Sequence, residues 1–102
     1  MRLQILESAQ RDLAEGFRFY ERQREGLGNY FLDSLFSDID SLRIYAGVHS
    51  FHFGRYHRML SKRFPFAIYY RCEDDLVMVY AVLDCRRNPA WIRQRLSGEP
   101  GI

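Results

Sequence analysis

Hydrophobic positions in the first half of the chain recur with a helical period, whereas those in the second half alternate or run together as strands do. Leu3-Gln4-Ile5-Leu6 is short and apolar and reads as a first strand. Ser8 then stands as a candidate N-cap, its hydroxyl able to accept from an orphan backbone N–H one turn in. Leu13, Phe17 and Tyr20 follow at i, i+4 and i+7, one face of an amphipathic helix running to about Gln23. Gly26-Leu27-Gly28 interrupts it, since glycine readily takes the left-handed backbone that ends helices. A second helix is expected from near Asn29, with Leu32, Leu35, Phe36, Ile39, Leu42 and Ala46 as its stripe. So short a break implies an antiparallel helical hairpin.

From residue 47 to 54 the pattern is that of a loop, with His49 and His52 in it. Arg55 to Leu60 reads as a strand, Ser61-Lys62-Arg63 as a turn, and Phe66 to Cys72 as the next strand. Pro65 cannot donate to a ladder and belongs at that strand's start. Glu73-Asp74-Asp75 connects tightly to Leu76–Leu83, which makes a hairpin. Asn88 ends the extended segment, and Pro89 is placed to open a short helix reaching Leu96. The order predicts an α+β fold: an N-terminal strand and helical hairpin packed on a small, mainly antiparallel sheet, with a short C-terminal helix. One domain is expected over residues 1–97, with 98–102 as a tail. In this picture the hairpin covers one sheet face and leaves the other to basic residues.

Composition narrows the class. At 102 residues, 47% hydrophobic and 16% aromatic, the chain can fill a core, and disorder is not expected. No apolar run approaches the ~18 residues of a membrane span, and no leader opens the chain, so a soluble cytoplasmic protein is expected. Cys72 and Cys85 lack metal-ligand spacing and are too few for a disulfide scaffold. Net charge is only +2, but the first 51 residues carry six arginines against eight carboxylates, and the remainder nine basic residues against five acidic. Fourteen of the fifteen cations are arginine, whose planar fork suits phosphate and carboxylate.

No Walker loop, dinucleotide fingerprint, zinc cluster or Ser-centred elbow is present, and no cofactor or metal site is expected. What remains is a basic-aromatic constellation on the meander: Arg55, His57, Arg58, Lys62, Arg63, Arg71, Arg86 and Arg87 among Tyr56, Tyr69, Tyr70 and Trp91. Alternation sets Arg55, His57 and Met59 against Tyr56, Arg58 and Leu60. It sets Phe66, Ile68 and Tyr70 inward as the core face, and Tyr69 and Arg71 outward. Arginines beside aromatic rings suit phosphates and unstacked bases; the competing reading is a solvated face with ordinary cross-strand pairing. His57 is a candidate acid or base by its reference pKa near 6.5, or else a structural residue of the strand. Arg86 and Arg87 end a strand, where side chains converge on a ligand or pair with Asp84. Trp91 is expected to anchor the last helix, with base stacking as its other role. Glu73, Asp74 and Asp75 read as turn carboxylates.

Arg63-Phe64-Pro65-Phe66-Ala67-Ile68-Tyr69-Tyr70-Arg71, followed by Ala81-Val82-Leu83-Asp84-Cys85-Arg86-Arg87-Asn88-Pro89, resembles the C-terminal half of the RelE/ParE toxins of bacterial type II toxin–antitoxin systems. Ala9-Gln10-Arg11-Asp12-Leu13 with Tyr20-Glu21, and Gly26-Leu27-Gly28-Asn29-Tyr30-Phe31, are similar to that family's first helix and the turn into its second. The resemblance implies a compact α+β toxin neutralised by a cognate antitoxin in a hetero-oligomer. It divides by target. A RelE-like member would be a metal-independent, ribosome-dependent mRNA endonuclease with Arg55, Arg71 and Arg86 as catalytic residues. Arg58 and Lys62 would then join Arg55 at the phosphates, and Arg71 and Arg86 would stabilise the transition state. A ParE-like member would inhibit DNA gyrase without a nuclease centre. The binding set implied is Arg58, Lys62, Arg63, Tyr69, Arg87 and Trp91. Trp91 stands where the RelE set often ends in Tyr or His, and Asp84 where many relatives carry His. With the helical hairpin and the Arg-Phe-Pro-Phe segment, these departures are closer to the ParE-like branch. A third reading is a non-toxic member that acts as an antitoxin-binding module.

Overall fold

Two apolar layers, one on each side of a single sheet, organise the chain. The structure is a computed structural model that describes residues 1–52 and 55–98; residues 53 and 54 of the expected loop and 99–102 of the expected tail lie outside it. The elements are β1 (Arg2–Ile5), α1 (Glu7–Gln23), α2 (Leu27–Asp40), α3 (Leu42–Tyr45), β2 (Phe51–His52), β3 (Tyr56–Leu60), β4 (Phe66–Glu73), β5 (Leu76–Asp84) and α4 (Pro89–Ser97). The strands lie in the order β1-β5-β4-β3-β2. β1 runs parallel to β5, and every other pair is antiparallel. The α+β architecture is as the sequence predicts.

α1 and α2 form the hairpin. Its three-residue link ends at Gly26, whose φ of 89° is the left-handed backbone the break required. α2 begins at Leu27 rather than near Asn29, because Glu21 caps it from the neighbouring helix. The Glu21 carboxylate accepts the Gly26 N–H at 3.1 Å and the Gly28 N–H at 2.9 Å, two of the amides a helix start leaves orphaned. Ser8 is not an N-cap. α1 starts one residue earlier, and the Ser8 hydroxyl donates to the Tyr80 carbonyl at 2.8 Å, tying the helix to β5. The second helix breaks at Ser41, whose hydroxyl bonds back to the Asp38 carbonyl at 2.6 Å.

Leu13, Phe31, Leu35 and Ile39 of the hairpin pack on Phe66, Ile68, Tyr70, Val77 and Val79, so the inward face of β4 is the one alternation selects. The opposite face is not open to solvent. Ile92 and Leu96 of α4 cover it, packing on Tyr56, Tyr69, Tyr80, Ala81 and Leu83. A bulge explains why β5 can serve both layers. Tyr69 pairs with Ala81 and Tyr70 with Val79, leaving Tyr80 as the extra residue. Tyr80 and Ala81 therefore both join the second layer, and Val82 returns to the first. This continuous apolar run is the mark of a strand buried on both faces.

Candidate functional site

Sheet register decides which basic residues can act together. Arg71 pairs with Met78 near the turn of the β4–β5 hairpin, whereas Asp84, two residues before Arg86, pairs with Phe66 at its open end. At roughly 3.3 Å per residue, the backbones of Arg71 and Arg86 stand about 20 Å apart. Arg55, just ahead of β3, lies at the same end as Arg71, since His57 pairs with Tyr70. It borders a small pocket with Arg93 and the last turn of α4. Lys62 and Arg63 sit in the β3–β4 turn, at the end that carries Arg86 and Arg87. The basic residues thus form two groups at opposite ends of the sheet.

Between those ends lies Arg58. Its Nε donates to the Tyr69 hydroxyl at 3.2 Å and its Nη2 to Cys85 Sγ at 3.6 Å. Tyr69 points to the face alternation assigns it, but it is 2% exposed, not presented to solvent. α4 covers it, and the Arg58 hydrogen bond helps to satisfy the buried phenol. Burial raises the Tyr69 pKa, and the Arg58 hydrogen bond pulls it partly back.

At the Arg86 end, Asp84 organises the site. Its Oδ1 accepts the Arg86 backbone N–H at 2.8 Å and Nε at 2.9 Å, and its Oδ2 accepts Nη2 at 2.7 Å. This fork-to-fork pair fixes the guanidinium plane. The Arg86 hydrogen bonds hold the Asp84 carboxyl below its ordinary range, and Asp84 in turn raises the Arg86 pKa. Arg63 stands 6.0 Å from the Tyr30 ring centroid, on the α2 side. The neighbouring Lys62 amide bonds Asp38 Oδ2 at 3.3 Å, alongside the Ser61 hydroxyl at 2.7 Å. Asp38 is 5% exposed, so α2 and the β3–β4 turn are latched through a buried carboxylate.

Trp91 is not the anchor of α4. It is 38% exposed, and the Arg87 guanidinium lies 4.1 Å over its ring. Asn88 Oδ1 caps the helix by accepting the Ala90 N–H at 2.7 Å, and Pro89 opens it. That start turns positions 92 and 96 to the sheet and leaves Trp91 about 100° away. His57 is buried at the edge of the first layer, stacked between Phe51 at 4.1 Å and Tyr70 at 5.0 Å. Its Nδ1–H donates to the His49 carbonyl at 2.7 Å, which leaves Nε2 as its only basic nitrogen.

Sequence reasoning missed a cleft of about 370 Å³ between α1, the end of β5 and the start of α4. Asp12, Phe19 and Arg22 line it from the helix, with Asp84, Arg87 and Trp91 opposite. The signal was present in the sequence, since positions 12, 15, 19 and 22 share one helical face. Among the described residues, no group of three or more His, Cys, Asp or Glu side chains could hold a metal ion, and no helix is long and apolar enough to cross a membrane.

Neither a protein-family model nor a curated relative matches the chain. Solved structures do. One chain, from a structure described as the chromosomal ParDE TA system from P. aeruginosa, superimposes with a TM-score of 0.74 at 14% identity. The match covers 80% of this chain and 92% of that one. The fold is therefore the one that the resemblance to RelE/ParE toxins implied. At this identity the likeness speaks for architecture, and function rests on the residues.

Proposed function

We propose that residues 1–97 form a single toxin domain of a type II toxin–antitoxin module, acting in the cytoplasm as a ParE-like inhibitor of DNA gyrase. A cognate antitoxin would hold it inactive in a hetero-oligomer. The observation that carries the toxin reading is the fold held in common with the ParDE chain, coupled with the Arg63–Arg71 and Ala81–Pro89 segments that resemble the toxin family. Separation of the basic residues favours gyrase over messenger RNA. Arg71 and Arg86 stand at opposite ends of a hairpin, too far apart to share one phosphate, and Arg86 is already engaged by Asp84. The exposed ring of α4 is Trp91, which exchanges no proton at neutral pH. A toxin that works by occupying a surface needs neither.

The experiment adds purified protein, free of antitoxin, to a gyrase supercoiling assay and to a ribosome-programmed translation assay read by primer extension. Loss of supercoiling with an intact message is the expected result. Codon-phased cuts in the message would transfer the assignment to a ribosome-dependent nuclease. Folded protein that is silent in both would leave an antitoxin-binding module.

A further inference from the structure

The cleft between α1 and α4 carries an imbalance of charge that the chain does not resolve. Three carboxylates line it, and two are already committed. Asp12 accepts Arg95 at 2.8 Å and the Val82 amide at 3.0 Å, while Asp84 is paired with Arg86. Glu15 is the third, and it forms no ion pair with a described residue. Against it stand the guanidinium groups of Arg18, Arg22 and Arg87, which likewise form none. Arg87 also acts on Asp84, helping to lower its pKa, but with Arg86 and Arg95 counted five cations share three carboxylates, so two charges remain uncompensated.

Arg87 is also held in place. The Arg87 guanidinium carbon lies 4.1 Å over the Trp91 ring centroid, a cation–π contact that leaves its N–H donors for an acceptor. Beside the cations the cleft has an exposed apolar wall, with Phe19 45% and Trp91 38% accessible. Bidentate donors next to bare aromatic surface are the elements of a recognition site, and the volume of about 370 Å³ falls within the range such sites occupy.

We infer that this cleft binds an acidic peptide segment of a partner protein, with carboxylates on the forks of Arg22 and Arg87 and an apolar side chain against Phe19 and Trp91. A peptide suits the cleft better than a nucleic acid strand for two reasons. The indole face nearest the cations is taken by Arg87, so it offers a base no stacking platform. Glu15 would repel a run of phosphates, yet it can accept the backbone N–H groups a peptide brings. Neither the gyrase target nor the antitoxin enters this assignment, and its test uses the chain alone.

Trp91 is the one tryptophan of the chain, so its fluorescence reports on the cleft directly. Titration with a peptide alternating glutamate and leucine should change that fluorescence saturably. Anisotropy of a fluorescein-labelled copy then compares variants. Arg22→Glu combined with Arg87→Glu should weaken binding by about tenfold or more, and Arg18→Glu on the same rim should weaken it by a smaller factor. All three side chains are exposed, so far-UV circular dichroism should not change. Arg43→Glu, on α3 and paired with Asp40, should leave binding as it was. No saturable change, equal affinity in the double variant, or a single-stranded oligothymidylate that displaces the peptide at lower concentration would each overturn the assignment.

Discussion

Asp12 and Arg95 join the first helix to the last. Asp12 Oδ2 receives the Arg95 guanidinium at 2.8 Å and the Val82 N–H at 3.0 Å, with side-chain exposures of 11% for Asp12 and 22% for Arg95. β1 ends at Ile5, opposite Val79, so the amide of Val82 has no strand to bond on that edge. The carboxylate replaces the missing strand and at the same time draws α4 onto the second layer, where Tyr56 donates to the Leu96 carbonyl at 3.0 Å.

Replacing Asp12 with alanine should therefore cost more than an ordinary helix-surface change. It leaves a largely buried amide without its acceptor and a part-buried guanidinium without its counter-charge, together about 2–3 kcal/mol. Asp12→Asn keeps an acceptor for Val82 and should lose less. Urea denaturation would show the ordering, and equal midpoints for wild type and Asp12→Ala would remove Asp12 from its structural role.

The hairpin rests on a close approach at Gly16. A Cβ there would sit 2.4 Å from the Phe31 ring, which is fully buried, so the ring has no free end to yield. Gly16→Ala gains about 1 kcal/mol of helix propensity, but overpacking should cost about 1–3 kcal/mol and win. Combining Gly16→Ala with Phe31→Leu should recover part of the loss. Thermal unfolding of the three variants tests this, and a rise in Tm for Gly16→Ala alone would contradict the packing.

Both helices, the three meander strands and the Pro89 start of α4 were legible because each rests on a local pattern. The stripe from Leu32 to Leu42 and the alternation of Phe66, Ile68 and Tyr70 say which side is inward whatever lies across from them. What was not legible depends on residues far apart in sequence. That α4 closes the second face follows from Arg95 meeting Asp12 and Leu96 meeting Tyr56, and neither pairing leaves a local mark. Trp91 is not the anchor expected of it, because Ile92 and Leu96 at i, i+4 are the pair that the helix lays on the sheet. Alternation speaks only of which face a residue takes and not of its place along the strand, whereas hairpin register puts Arg71 and Arg86 at opposite ends.

That division of α4 is directly testable. Ile92→Ala and Leu96→Ala each remove a buried aliphatic side chain and should cost about 2–4 kcal/mol. Trp91→Ala, although it deletes the largest side chain of the helix, should cost about 1 kcal/mol or less because no layer closes over it. Denaturant midpoints decide, and a Trp91 loss equal to that of Leu96 would restore the indole as an anchor.

Acid should weaken the fold in two stages. Burial, with the charge of His57 adding to it, holds His49 below its ordinary 6.5. The Gly47 N–H donates to the Tyr70 hydroxyl, which is hydrogen-bonded in turn to His49 Nδ1, so protonating His49 places a charge inside this part-buried chain. A depressed folded value means that the His49 contribution is complete above pH 6.5 and is lost as pH falls through its folded pKa. Asp84, held down chiefly by Arg86, contributes fully above its ordinary 3.8 and loses that contribution only below it. Tm measured from pH 7 downward should show both steps, with His49→Gln flattening the first and Asp84→Asn the second.

Arg71 separates the two toxin readings. It lies at the end of the sheet far from Arg86 and from the Arg87–Trp91 stack, and it is only half-buried. A nuclease that used it for transition-state charge would lose about 10²-fold or more in message cleavage on Arg71→Ala. A gyrase inhibitor has no reacting phosphate to stabilise at that position. Most residues of a binding surface cost less than about 1 kcal/mol when truncated, so Arg71→Ala should keep supercoiling inhibition within about fivefold of wild type. A folded Arg71→Ala that lost all inhibition would move the contact surface to the Arg55–Arg71 end. Retained inhibition would leave the opposite end, where Lys62, Arg63, Arg86 and Arg87 gather, as the surface to mutate next.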